Sequence, residues 1–265
     1  MSDSVTTLTA DNYYSTEADR EYFSASQVKS FLDCEARTMA ELNGEWPGPS
    51  GTALLVGLFV DAYFEGPESF EAFCDEHPEI MKRDGTFKAD FDKACIMIER
   101  AKEDDLFMEY MDGEKQTIKT GTIDGVPFKC KFDVYRPGDR IVDLKTTRDM
   151  EPKYKPGEGR LSFADYWLWP FQMAIYQHIE GNRLPCYLAV ITKEDPPDIA
   201  VIQVEQSKMD AEMEFVREKL PRFDAIKRGL IEPDRCGRCA YCRATKTLTG
   251  VQMLEEFSDF GGIEV

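Results

Sequence analysis

The chain has 265 residues, of which 50 are acidic and 32 basic, for a formal net charge of −18. That balance repels nucleic acid at long range, because DNA affinity comes largely from lysine and arginine displacing counterions from phosphates, so a DNA partner requires a local basic groove or a bound metal. The most apolar stretch, residues 52–60, is too short to span a bilayer and lies away from the N-terminus, so neither a membrane helix nor a signal peptide is expected and a cytoplasmic protein is.

In chain order, residues 1–22 are polar without sustained periodicity and read as a flexible or peripheral arm. "SASQVKSFLDCEARTMAELNG" predicts one helix from a Ser24 or Ser26 cap to Gly44, carrying Cys34. "TALLVGLFVDAYFEG" predicts a helix apolar on nearly every side, hence buried, with a single internal acid, Asp61. Residues 68–112 suggest further helices with a charged outer face. From Gln116 the period changes to two, and "QTIKTGTIDG", "VPFKCKFDVY" and "RIVDLKTT" predict the strands of a meander. "FADYWLWPFQMAIYQHIEG" returns to helical spacing, with Pro170 allowing a kink or a late start and Gly181 the stop. Strands near 185–192 and 198–204 follow, then a charged helix over 208–228. One domain is expected over 23–245, with an acidic C-terminal tail over 246–265.

The hairpin "VPFKCKFDVYRPGDRIVDLKTT" closes on Pro137-Gly138-Asp139 with Arg136 facing Arg140, and counting back sets Asp133 opposite Asp143. Directly opposed residues have Cβ atoms roughly 4.5–5.5 Å apart, so the two carboxylates share one small space. Such a pair either raises one pKa or holds a hard cation such as magnesium or manganese. Lys145 falls on the Asp143 face, and Lys129 and Lys131 on the Asp133 face, while Phe128, Phe132, Val142 and Leu144 point to the opposite, core side. The hairpin alone is equally compatible with a solvated charge cluster. Gln172 and Tyr176, four apart on one helix face, and Asp61 in its apolar helix add polar groups that need a purpose.

Eight cysteines without a secretion signal point to free thiols or a metal site rather than a disulfide framework. Cys236, Cys239 and Cys242 in "RCGRCAYCRATK" can converge on one metal, and the fourth ligand that zinc or an iron–sulfur cluster requires must come from elsewhere. Cys74, Cys95, Cys130 and Cys186 read as core thiols.

The series Asp61, Asp133, "DLKTT" from Asp143 and "QMAIY" from Gln172 resembles the PD-(D/E)XK nucleases, in particular the phage RecE-like, or exonuclease VIII-like, group. The order matches over roughly residues 24–245, with one departure: many relatives have histidine where this chain has Asp61. The resemblance implies an α/β restriction-endonuclease-like core with a mixed central sheet flanked by helices. It implies Asp61, Asp133, Asp143 and the main-chain carbonyl of Leu144 as ligands of Mg2+ or Mn2+, Lys145 beside the attacking water, and Gln172 and Tyr176 positioning DNA. It further implies a double-stranded DNA exonuclease of 5′ to 3′ direction, a single-strand annealing protein as partner and a homo-oligomeric ring. "SASQVKSFLDCEA" is similar to the helix carrying the first cluster cysteine of AddB-like and CRISPR-associated nucleases, which implies Cys34 as the fourth ligand of a [4Fe-4S] cluster; structural Zn2+ is the alternative. A structure-specific endonuclease with the same centre, and a non-catalytic metal-stapled DNA-binding or DNA-mimic module, are the competing readings.

Overall fold

The structure, a computed structural model, describes residues 7–248 together with Gly250, Val251 and Met253. The rest of the expected acidic tail lies outside the described residues.

A five-stranded mixed sheet of order β1-β2-β3-β6-β7 forms the centre. It comprises β1 (Glu114–Ile123), β2 (Val126–Arg136), β3 (Arg140–Thr147), β6 (Cys186–Thr192) and β7 (Ile199–Gln203). The first three form the predicted antiparallel meander; β3 and β6 pair in parallel. A parallel pair needs a long crossover, and here it holds the small hairpin β4 (Lys153–Lys155) and β5 (Gly159–Leu161), then α8 (Phe163–Tyr166) and α9 (Trp169–Glu180). The helical stretch ending at Gly181 takes the late start that Pro170 allows: α9 begins at Trp169, and the residues before it form the separate short α8. Leu168 adopts a left-handed conformation between them, and Pro170 sits in the first turn of α9, where its missing N–H costs no hydrogen bond.

Helices cover both faces of the sheet. Against one face pack α2 (Ala25–Asp33), α9 and α10 (Gln206–Lys227), around Phe31, Phe128, Phe132, Phe171 and Phe223. Against the other pack α4 (Thr52–Glu65), α6 (Ala89–Lys102) and α7 (Asp105–Tyr110), around Phe59, Met97, Phe107, Val142 and Leu144. A charged helix, α5 (Pro67–Glu76), lies outside α4. The expectation that Phe128, Phe132, Val142 and Leu144 share one core side therefore needs correction. A sheet buried on both faces has no solvent side, and these residues divide between two cores. The helix α4 is less enclosed than its sequence suggests, since Leu54 and Leu58 are 46% and 43% exposed.

Two further differences bear on the site. The helix expected over 24–44 breaks at Cys34, whose extended backbone (φ −164°, ψ 106°) separates α2 from α3 (Glu35–Leu42). The N-terminal segment expected to be flexible or peripheral contains α1 (Thr16–Glu21) and buries Tyr13, Ala18 and Tyr22 against the domain. Lys129 explains why: fully buried, it ion-pairs with Asp19 at 2.7 Å and donates to the Tyr13 carbonyl. That lysine fastens the arm and does not join the acids.

Candidate active site

The β2–β3 register is the predicted one, with Arg136 paired to Arg140 and Val134 to Val142. One step further would pair Asp133 with Asp143, but the ladder stops there. Asp133 also interrupts the ladder with β1, because its facing residue Gln116 has φ +51° and the pairing skips both. At the same place β2 exchanges faces: Phe132 belongs to the α9-side core and Val134 to the α4-side core, which regular alternation forbids. The strands part at Asp133, and its side chain fills the missing link by accepting the Leu144 N–H at Oδ2, 2.9 Å away.

Four elements, α4, β2, β3 and α9, bring polar side chains to this opening. Asp61 approaches from α4 and lines a cleft with Glu65, Gln116, Asp133 and Leu144. From β3, Asp143 faces α9 and is only 1% exposed. Its Oδ1 accepts from Gln172 Nε2 at 3.0 Å; its Oδ2 has no hydrogen bond of good geometry, and the Lys145 ammonium lies directly against it. Gln172 Nε2 also donates to the Tyr176 hydroxyl at 3.1 Å, as the four-residue helical spacing allows.

The electrostatics follow from enclosing one buried acid, Asp143, and two half-buried ones, Asp61 and Asp133, with few cations. Burial, then the repulsion of Asp143 and Asp61, raises the Asp133 carboxyl well above the usual range. Burial, followed by Asp143, pushes Asp61 up to about 7, against the attraction of Lys145. Burial alone would lower the Lys145 ammonium, but Asp143 and Asp133 overcome it and hold the pKa above its ordinary value. Burial and the same two acids raise the Tyr176 hydroxyl, which stays a protonated donor.

An excess of enclosed carboxylate over cation favours a divalent ion, and hard oxygen donors suit magnesium or manganese. The three carboxylates are not drawn as closely together as the cysteines, the one set among the described residues whose donor atoms all lie within 4.8 Å of one another. Lys145 supplies the positive charge against Asp143 instead.

That cysteine set is Cys34, Cys236, Cys239 and Cys242, with Cys34 Sγ 3.5 Å from Cys242 Sγ. The break at Cys34 lets the thiol leave the helix and reach the loop before α11 (Ala240–Ala244). Glu35 fixes the approach, binding Arg222 at 2.7 Å through both carboxylate oxygens and accepting the Asp234 N–H at 2.7 Å. Burial raises the Cys236 thiol, but the N–H groups of Cys239 and Arg238 outweigh it and bring the pKa down to about 6. Four sulfurs this close fit a four-thiolate metal group. Their spread matches a single tetrahedral ion, for which a metal–sulfur distance of ~2.3 Å sets sulfurs about 3.8 Å apart; a four-iron cluster requires them to open outward. Cys130 and Cys186 are core thiols as expected, while Cys74 and Cys95 are half-buried at the rim of the α4-side core.

Residues 24–245 match the model of a family described as a PDDEXK-like domain of unknown function. The chain belongs to this PDDEXK-like family. A crystal structure of a protein from Eubacterium rectale, provisionally assigned as an exonuclease, is 38% identical with a TM-score of 0.92, covering 97% of this chain and 100% of that one. A second solved structure, SSO0001, is 14% identical with a TM-score of 0.31 over 81% of this chain and 96% of that one, too distant to bear on the site. No curated protein matches. Family and fold support a nuclease, and the mixed sheet flanked by helices is the architecture expected of it. Among the described residues no helix is long and apolar enough to cross a membrane.

Within this PDDEXK-like domain the structure gathers Asp61, Asp133, Asp143, Leu144, Lys145, Gln172 and Tyr176 around one opening. It leaves Lys129 out and sets Lys131 over the Tyr14 ring, 4.7 Å from its centroid. Sequence reasoning missed Lys29 on α2, whose Nζ donates to Gln172 Oε1 at 2.9 Å. It also missed Glu65 and Gln116 beside Asp61. Glu65 lies one helical turn after Asp61, a spacing that could have flagged it. No local pattern links Lys29 to a helix 143 residues away.

Proposed function

We propose that this PDDEXK-like protein is a magnesium-dependent exonuclease that hydrolyses phosphodiester bonds at double-stranded DNA ends. The observation that carries the reading is the convergence of Asp61, Asp133 and Asp143 with Lys145 where β2 and β3 part. The likeness to the Eubacterium rectale protein supports exonuclease over other nuclease activities.

Asp133 and Asp143, with Asp61, would hold the cation. Leu144 joins them through its carbonyl. In an extended strand the N–H and C=O of one residue point to the same side, and the Leu144 N–H points to Asp133. A bound divalent ion supplies the lowered pKa of a water and neutralises charge on the scissile phosphate. Lys145, whose ammonium lies against Asp143, would orient the attacking water and offset charge developing on the phosphoryl oxygens. Gln172 keeps Asp143 oriented, and Tyr176 directs a hydroxyl donor toward the strand.

The remaining parts of the proposal are a 5′ to 3′ direction, a ring of subunits around DNA, and recombination beside a single-strand annealing protein. They rest on the resemblance to RecE-like exonucleases. The four cysteines would hold a structural metal group: the resemblance to AddB-like nucleases implies a [4Fe-4S] cluster, the close spacing of the sulfurs favours Zn2+, and metal analysis with the visible absorption spectrum distinguishes them.

The test is magnesium-dependent degradation of linear and closed circular duplex DNA by the wild type, Asp143→Ala and Lys145→Ala. Loss of linear DNA only, reduced at least ~10³-fold in both variants, is the expected result. Equal cutting of circles replaces the exonuclease with an endonuclease. No cleavage with magnesium or manganese overturns the enzymatic reading in favour of a binding or DNA-mimic module.

A further inference from the structure

From the placement of its ammonium against the far end of Gln172, we infer that Lys29 is a positioning residue that sets the direction of the hydrogen bonds running through Gln172 to Asp143 and Tyr176. The inference rests on the nuclease reading above and assigns a residue that the acid–lysine motif does not contain.

A glutamine amide has an acceptor end and a donor end that differ little in shape, so its orientation is set by its partners. An ammonium has only protons to give. Lys29 Nζ, 2.9 Å from Gln172 Oε1, therefore fixes the carbonyl end toward α2 and the NH2 end toward the sheet. Both amide protons are then spent within the site, one on Asp143 Oδ1 at 3.0 Å and one on the Tyr176 oxygen at 3.1 Å.

Each bond has a consequence. Asp143, gripped at Oδ1, keeps Oδ2 toward the opening and Lys145. Tyr176, accepting at its oxygen, has its own proton free to point away from Gln172. With the amide reversed, the tyrosine would donate to Oε1 and present no proton to an incoming phosphate. Asp143, which as a carboxylate can only accept, favours the same orientation, and Lys29 enforces it from the opposite end of the amide. Burial, together with repulsion from Lys145 and against the attraction of Asp143, brings the Lys29 pKa down to about 7. Half-buried on α2, Lys29 commits its nitrogen to Gln172.

The experiment is a double-mutant cycle with Lys29→Met and Gln172→Met, with Lys29→Arg as the conservative variant because guanidinium also only donates. On linear duplex DNA, Lys29→Met is expected to lower kcat about 10- to 100-fold, the usual effect of removing a group that orients a ligand residue, with KM changed little. Lys29→Arg is expected to recover part of the loss, and Lys29→Met is expected to add no further loss in the Gln172→Met background. DNA affinity in calcium, without turnover, should stay within about threefold of wild type.

A rise in KM and in calcium-supported Kd, with weakened salt dependence, would instead make Lys29 a direct phosphate ligand and overturn the inference. So would additive losses in the cycle. A second measurement is independent of turnover: in protein labelled with ¹⁵N in glutamine side chains, the NH2 pair of Gln172 is identified by its disappearance in Gln172→Met. It should shift and lose exchange protection in Lys29→Met and persist in Lys29→Arg. An unmoved pair refutes the role of Lys29 even if the wild type proves not to cut DNA, whereas inactivity of the wild type with a moved pair removes the nuclease reading and leaves the orienting contact standing.

Discussion

Asp61 is the residue whose chemistry departs most from its sequence neighbourhood. Burial, joined by the repulsion of Asp143 and Glu65, outweighs the attraction of Lys145 and Lys131 and takes the Asp61 carboxyl from 3.8 to about 7. A folded-state pKa above the unfolded one means that the native protein binds a proton the unfolded chain has already lost. The stabilisation from that proton is complete below the unfolded value of 3.8 and disappears as pH rises through about 7. Asparagine at this position has no proton to lose. Melting curves in chelator should therefore show Asp61→Asn gaining in Tm relative to wild type from about pH 4 to about pH 7, and no further above that. Lys29, lowered to about 7, loses its contribution as pH falls, but it is common to both proteins and cancels in the difference. A pH-independent difference would mean that Asp61 is ionised throughout.

At the scale of elements, two irregularities make the site. The first is the parting of β2 from β3 at Asp133, framed by the φ +51° of Gln116 and by Gly113 at φ +154° just before β1. A Cβ on Gly113 would lie 2.8 Å from the Tyr135 carbonyl oxygen, a rigid backbone atom of β2. Gly113→Ala should cost about 1–3 kcal/mol in chemical denaturation, through strain and the push on β2, and lower activity with it. A neutral substitution would show that β2 is free to move there. The second irregularity is the break at Cys34, which ends α2 only five residues after Lys29. Cys34→Ser should release the metal of the four-cysteine set, measured by elemental analysis, and lower Tm. If α2 loosens with it, the loss of activity should resemble that of Lys29→Met more than that of Asp143→Ala.

For the molecule as a whole, the charge of −18 remains the obstacle to binding a polyanion. The acids of the site add to it until a cation arrives, so DNA affinity should depend on divalent metal. Calcium in place of chelator should tighten binding of linear duplex by about tenfold or more at low salt, an effect lost in Asp133→Asn/Asp143→Asn. Equal affinity in chelator would require a basic surface elsewhere. The legible part of the candidate site was its local part: the hairpin loop and its register through Val134, the Gln172–Tyr176 pair, and the cysteine triplet each follow from spacing along one or two elements. Lys129 was misplaced because alternation along β2 cannot reveal that the N-terminal segment covers it with Asp19 and Tyr13.

The sequence by itself determined the elements, the loop that joins β2 to β3, and the residue types able to hold metal, because backbone geometry fixes which neighbours share a face. Tertiary structure alone decided that the face changes at Asp133, that the helix breaks at Cys34, and that Lys29 meets Gln172. Each of these depends on packing between segments distant in the chain, where two buried cores, rather than local propensity, dictate which way a side chain points.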